Sequence, residues 1–142
     1  MTHYSMSLEF FMQLAKINAY MTRRFDGKLG VHHGVGFTDF IILAYLNYAP
    51  DGRVRRVDLV EELGLTASGI TRLLLPMEKI GLVKRQTDPR DARVSYVTLA
   101  PGGRRLFKDA LDTAETLSQE SISPLEAEKF KDLFKVFSRL SS

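Results

Sequence analysis

The stretch DLVEELGLTASGITRLLLPMEKIGLV, residues 58–83, limits what this chain can fold into more than any other part of it. Asp58 can cap a short helix over 59–63, on which Leu59, Val60 and Leu63 are apolar, and Gly64 is placed to end that helix in the left-handed conformation. Leu65 packs beneath the break, and Thr66 then has the side chain of an N-cap. Ile70, Leu73, Leu74 and Met77 follow at the i, i+3, i+4, i+7 spacing of a buried helical stripe. Two short helices joined by a glycine-containing turn of about three residues make a helix-turn-helix pattern. Pro76 lies inside the second helix, where a proline removes one hydrogen bond and clashes with the carbonyl four residues back, here Arg72, at a cost of about 3 kcal/mol. A kink after Leu75 is therefore expected, separating a front half that faces a partner from a rear half, MEKIGLV, that faces the core. Leu75 itself falls near the polar face and has no role in this reading.

The flanking sequence extends the pattern. Residues 82–86 and 94–99 read as two strands joined by the charged loop TDPRDAR, a winged hairpin in outline. Upstream, Phe37, Phe40, Ile41, Leu43, Ala44 and Leu46 mark a helix over 37–48, with Asp39 in its first turn where the helix dipole favours a negative charge. APDG at 49–52 reads as a turn. A helix over 5–25 spreads Leu8, Phe11, Met12, Leu14, Ile17, Met21 and Phe25 over more than one face, and the glycine-rich DGKLGVHHGVG, 26–36, reads as a connector. Two more helices close the chain: 101–119, with Pro101 at its first position, and 124–140, started by Ser123 and Pro124. Leu125, Phe130, Leu133, Phe134, Phe137 and Leu140 make a broad apolar stripe on the last helix. It needs a partner, as the first helix does. The expected fold is mainly α, with six helices and a small β-wing, in a single domain over 1–142 whose winged lobe spans 37–100.

Composition excludes several functions. There is no cysteine among the 142 residues, so no disulfide, thiolate nucleophile, thiol redox sensor or cysteine-based zinc site. No hydrolase elbow, P-loop or dinucleotide fingerprint occurs, and GGRR at 102–105 is too short to carry meaning; no enzyme and no cofactor is expected. His3, His32 and His33 have few carboxylates near them in sequence, and no metal site is expected. No basic leader precedes an apolar run and no stretch approaches the roughly 18 apolar residues of a membrane span, so the expected location is the cytoplasm. A net charge of +3 permits an anionic partner without demanding one.

The distribution of charge and small side chains is more telling. On the helix after Thr66, Ser68, Thr71 and Arg72 share one face opposite the apolar stripe. Ala67 and Gly69 hold no surface away, so the helix start can approach a phosphate with its unpaired amides. Arg72 is the residue type suited to bidentate contact with guanine in the major groove of double-stranded DNA. Lys84 and Arg85 lie on the first strand of the hairpin, and Arg90 and Arg93 in its loop can enter the minor groove. Asp88 and Asp91 are expected to pair with an arginine and hold the loop in shape. Arg53, Arg55 and Arg56 in RVRR read equally as a phosphate clamp or as a solvated basic turn.

The segment DLVEELGLTASGITRLLLPMEKIGLVKR followed by DPRDARVSYVTLAPGGRRL resembles the MarR family of winged-helix transcriptional regulators, with its Asp-x-Arg-Asp-x-Arg wing leading to a helix start. The resemblance implies a homodimer held by the first helix (1–25) and the last two (101–142), with Phe10, Phe11, Leu14, Phe130, Leu133, Phe134 and Phe137 at the interface. It also implies a pseudo-palindromic operator, a repressor role, and release of DNA by a small aromatic or anionic effector bound between the dimer helices and the DNA-binding lobe. By position, Ser68, Gly69, Thr71 and Arg72 would read the major groove and Arg90 or Arg93 the minor. The sequence departs from the family pattern at Ala100, where a threonine usually caps the fifth helix for about 1 kcal/mol, and at Pro76, usually a helix former. Without cysteine, the family's peroxide-sensing mechanism is excluded. The rival reading is a winged-helix protein-interaction module without DNA sequence specificity.

Overall fold

A run of buried leucines and valines, including Leu29, Ile42, Leu43, Leu46, Leu59, Ile70, Leu74, Val83 and Val97, sits at the centre of a helical lobe closed on one side by a small sheet. The structure, a computed structural model, describes residues 3–142; residues 1 and 2 of the expected dimerisation segment lie outside the described residues. The order is α1 (Met6–His33), α2 (Phe37–Tyr48), β1 (Arg53–Arg55), α3 (Arg56–Leu63), α4 (Ala67–Lys79), β2 (Val83–Thr87), β3 (Ser95–Leu99), α5 (Pro101–Ile122) and α6 (Ala127–Leu140). Among the described residues no single helix is long and apolar enough to cross a membrane.

The glycine-rich connector is not a connector. α1 continues through Gly27 and Gly30 to His33 and ends only at Gly34, whose φ of 72° is left-handed. Glycine costs a helix interior about 1 kcal/mol relative to alanine, but Phe25 and Leu29, one turn apart, are buried here and outweigh it. Phe25 stacks on Phe37 with ring centroids 4.1 Å apart, and Asp26 Oδ1 accepts the Phe37 amide at 2.7 Å. α2 therefore starts against the flank of α1. Asp39 closes that start by accepting the Gly36 amide at 3.1 Å.

RVRR is not a turn either. Arg53–Arg55 form β1, paired antiparallel with β3 in the register Arg53 to Thr98, Val54 to Val97 and Arg55 to Tyr96, giving a sheet of order β1-β3-β2. Three residues are too few for alternation to be visible in sequence. Because β1 runs straight into α3, that helix starts at Arg56, not at 59, and Asp58 lies in its first turn instead of capping it. Gly64 ends α3 with φ 62° as expected. Thr66 caps α4, its Oγ1 accepting the Gly69 amide at 3.0 Å.

Pro76 does not divide α4 as expected. The helix runs through it to Lys79, and the buried residues Ile70, Leu74 and Met77 form one stripe on both sides of it. The proline and Leu75 both lie on the exposed side, where the proline ring meets solvent. At the start of α5, Ala100 is an N-cap without a side-chain bond; it is buried, and its amide donates to the Leu82 carbonyl at 3.0 Å. Gly103 is also buried, and a Cβ there would overlap the Leu82 carbonyl oxygen and stand 2.8 Å from Leu99 Cδ1. Phe107 stacks on Phe40 at 5.2 Å, so α5 is seated on both α2 and the base of the wing.

The Ser123–Pro124 start of the last helix is displaced. Ser123 belongs to the end of α5, donating its amide to Gln119 O at 2.9 Å, and α6 begins at Ala127 after Glu126. The Ser123 hydroxyl donates to the Glu120 carbonyl at 2.9 Å and so extends the helix instead of starting a new one. No residue of α6 is buried. Phe134 is 64% exposed, and Leu133 and Phe137 are also open to solvent, with Phe130 half-buried. At the start of α1 Phe10 and Phe11 are exposed and Leu14 is half-buried. Both terminal faces are left without a cover inside one subunit. The core itself extends past 37–100, taking Phe25 and Leu29 from α1 and Phe107, Ala110, Ala114 and Leu117 from α5.

Candidate nucleic-acid interface

The front turn of α4 is presented to solvent. Ala67 and Ser68 are exposed, the Ser68 hydroxyl lying 3.1 Å from the capping hydroxyl of Thr66. Arg72 is exposed one turn further on, and among the described residues it pairs with no acid. Gly69 is half-buried, where a Cβ would come within 3.2 Å of Thr66 Oγ1. The helix start thus offers backbone amides, an exposed hydroxyl hydrogen-bonded only to the capping threonine, and one unpaired guanidinium, a set suited to phosphate and base edges.

Thr71 differs from its neighbours. It is half-buried; its hydroxyl donates to the Ala67 carbonyl at 3.1 Å and accepts from Arg56 Nη2 at 2.7 Å. A hydroxyl has one proton, so Thr71 has none left to donate to a base. Arg56 is likewise turned inward. Desolvation, with the charge of Arg85 adding to it and that of Glu78 opposing, pulls its guanidinium below the ordinary pKa. The other members of the basic set point outward: Arg55 on β1 and Lys84 and Arg85 on β2 are exposed. Arg85 Nε is 3.6 Å from Glu78 Oε1, a long, partly solvated ion pair. Arg53 lies over the Tyr96 ring at 4.2 Å and stiffens the β1–β3 pair.

The wing loop is held as its acids suggested. Asp88 Oδ1 accepts the Arg90 amide at 2.7 Å. Asp91 Oδ1 accepts the Arg93 amide at 3.0 Å and its Nε at 3.1 Å, while Oδ2 accepts Nη2 at 3.2 Å. These bonds, side chain first and backbone second, hold the Asp91 carboxyl below the usual carboxylate range. The side chain of Arg93 is therefore tied to its own loop, whereas Arg90 is fixed only through its backbone. A cleft of about 270 Å³ between α3, α4 and the wing brings Arg55, Arg56, Ala67, Thr71 and Arg93 to one place.

Residues 33–94, from the end of α1 through α2, α3, α4 and β2 into the wing loop, match the model of the MarR family. The match covers less than half of the chain, and the likeness is that of the helix-turn-helix and the first part of the wing. Along 132 residues the chain is 24% identical to the HTH-type transcriptional regulator YdgJ of Bacillus subtilis, covering 93% of this chain and 77% of that protein. The transcriptional regulator BldR of Sulfolobus solfataricus is 28% identical, with a TM-score of 0.83 over 98% of this chain and 99% of that one. A structure of a point mutant of Escherichia coli MarR complexed with operator DNA shares the fold at 19% identity, with a TM-score of 0.84 over 99% of each chain. Its relatives are regulators and not enzymes.

Other parts of the chain carry features that sequence reasoning missed. An apolar cleft of about 650 Å³ between α2, β1 and α3 is walled by Phe40, Tyr45, Tyr48 and Val54, with Asp58 and Glu62 on its rim. The Tyr45 hydroxyl donates to Glu62 Oε2 at 3.2 Å, and burial, then that carboxylate, raises its pKa. Only the i, i+4 repeat of Ile41, Tyr45 and Ala49 in α2 and its end hinted at a second exposed apolar face. His33, set aside in the sequence, has a ring nitrogen 2.8 Å from Thr113 Oγ1 and ties α1 to α5. Among the described residues no cluster of histidines and carboxylates could hold a metal ion.

Proposed function

We propose that this chain is a dimeric, sequence-specific DNA-binding transcriptional regulator, acting as a repressor by occupying a pseudo-palindromic operator. The observation that carries the reading is the threonine-capped, solvent-facing start of α4, with Ser68 and Arg72 exposed, beside a wing whose acids hold Arg90 in its loop. Ser68, Gly69 and Arg72 are the residues we assign to the major groove, with Thr71 shaping the helix behind them. Arg90 is the arginine assigned to the minor groove, since Arg93 is engaged by Asp91. Thr66 and Ala67 supply helix-start amides to phosphate, and Arg55, Lys84 and Arg85 line the approach.

The homodimer rests on the uncovered aromatic faces: no residue of α6 is fully buried within its own subunit, and Phe10 and Phe11 are exposed at the start of α1. Two-fold symmetry in the protein asks for two matched half-sites about one helical turn apart. The cleft beside Tyr45 is the place for an aromatic effector; its rim is acidic, which disfavours an anionic one. Such a ligand weakens DNA binding only by preferring a dimer whose recognition helices no longer fit the duplex. A chromosomal target places the protein in the cytoplasm.

Selection of bound duplexes from a random pool tests the reading. An enriched inverted repeat supports it, and a pool that stays unenriched while the protein runs as a monomer with an exposed α6 would favour the protein-interaction module.

A further inference from the structure

Arg56 opens α3 immediately after the exposed Arg55, yet the two arginines are placed in opposite ways. Arg56 Nη2 donates to Thr71 Oγ1 at 2.7 Å across 15 residues of sequence. Its Nη1 is buried and has no hydrogen-bond partner. A guanidinium that contacts phosphate needs its fork open to the ligand; here one arm is committed and the other is covered by protein. Arg85 and the Glu78 carboxylate are the charged groups around it, and Glu78 Oε1 is itself buried without a hydrogen bond, facing Arg85 Nε at 3.6 Å. A half-buried arginine with one covered, unpaired nitrogen beside a like charge is a costly arrangement, and its one bond shows what it fixes.

That bond reaches the reading end of α4. Thr71 Oγ1 donates its hydrogen bond to the carbonyl of Ala67, the first residue of the helix. A threonine in a helix has two accessible χ1 wells, one of which bonds the carbonyl four residues back. The donated bond from Arg56 adds to the pull on that well. The chain Arg56, Thr71, Ala67 therefore links the first residue of α3 to the first turn of α4, with Ser68 and Arg72 on either side of it. We infer that Arg56 is a positioning residue, fixing the recognition helix through Thr71 instead of contacting DNA phosphate. The inference rests on the DNA-binding reading above.

Binding of the full chain to the selected duplex, to single-base-pair substitutions of it and to a scrambled duplex, each across a salt series, tests this with Arg56→Gln and Arg56→Lys. Both variants should lose about tenfold on the selected duplex and less on the substituted ones, so that base preference under the front turn of α4 relaxes. The salt dependence should stay that of the parent, whereas loss of one phosphate contact would flatten the log–log slope by about 0.9. Hydrogen exchange of the amides at 69–72 should quicken in the free variants while the amides of Leu43 and Leu46 stay protected. A loss shared equally by all duplexes, a flattened slope, or binding equal to the parent overturns the inference. If Arg56→Gln fails to fold, Arg56→Lys keeps the charge and carries the same readings. Failure of the parent chain to distinguish selected from scrambled duplex would instead reject the DNA reading itself.

Discussion

Arg72 meets solvent with no protein partner among the described residues, and it is the residue whose loss should be felt at a single base pair. Arg72→Ala is expected to cost about 1–3 kcal/mol on the matched duplex and to relax preference at one position; equal loss on matched and scrambled duplexes would reject base reading. At the wing, Asp91 gives a pH signature. Its carboxyl is held below the ordinary value by Arg93, so the bonds to Arg93 are complete above the unfolded value, about pH 4, and are lost as pH falls through the lower, folded value. The Arg93 Nε chemical shift, followed by NMR, should therefore move toward that of a free arginine only under acid conditions well below neutrality; a titration step near pH 6 would contradict the assignment. Ser68 and Arg72 were legible in the sequence because a helical period places them opposite Ile70 and Leu74. The inward turn of Arg56 and Thr71 was not, since a bond between two elements 15 residues apart leaves no periodic trace.

Among the elements, those with a local signal came through almost unchanged. Gly64, Thr66 and Pro101 each act on the chain within a turn of themselves, and the end of α3 and the starts of α4 and α5 that they set lie where the sequence places them. The misplaced boundaries are those decided by distant packing: α1 passes two glycines because Leu29 has a core to enter, and β1 exists because β3 is there to pair with it. Gly103 is a further case, since GGRR carries no pattern of its own. A methyl group at that position meets the Leu82 carbonyl and Leu99, and forcing apart the base of the wing and α5 is an overpacking change. Gly103→Ala should lower stability by about 1–3 kcal/mol in denaturant titration, whereas Gly27→Ala, which meets nothing within 4 Å, should raise it by up to about 1 kcal/mol.

For the whole molecule, the fold was legible because its layout repeats a small menu of capped helices and one hairpin, while the dimer we propose rests on a deficit of cover on the terminal helices. Leu133→Glu with Phe134→Glu removes apolar surface that no part of the same subunit touches in a buried way. Far-UV circular dichroism should stay that of the parent, light scattering should report a monomer, and affinity for an inverted repeat should fall by about 100-fold or more as the two half-sites are no longer bound together. A dimer surviving both charges would place the interface elsewhere. The continuity of α1 bears on how such a dimer would move. Its 28 residues form a rod about 42 Å long, held towards its C-terminal end by Phe25 against Phe37 and exposed around Phe10 and Phe11 at the other. A tilt of about 5° about Phe25 swings the start of the helix, about 28 Å away, by about 2.5 Å, between one and two residues of helical rise. In the proposed dimer the helix would act as a lever arm, so that a molecule loosening its hold would change the spacing of the two lobes without touching either reading end.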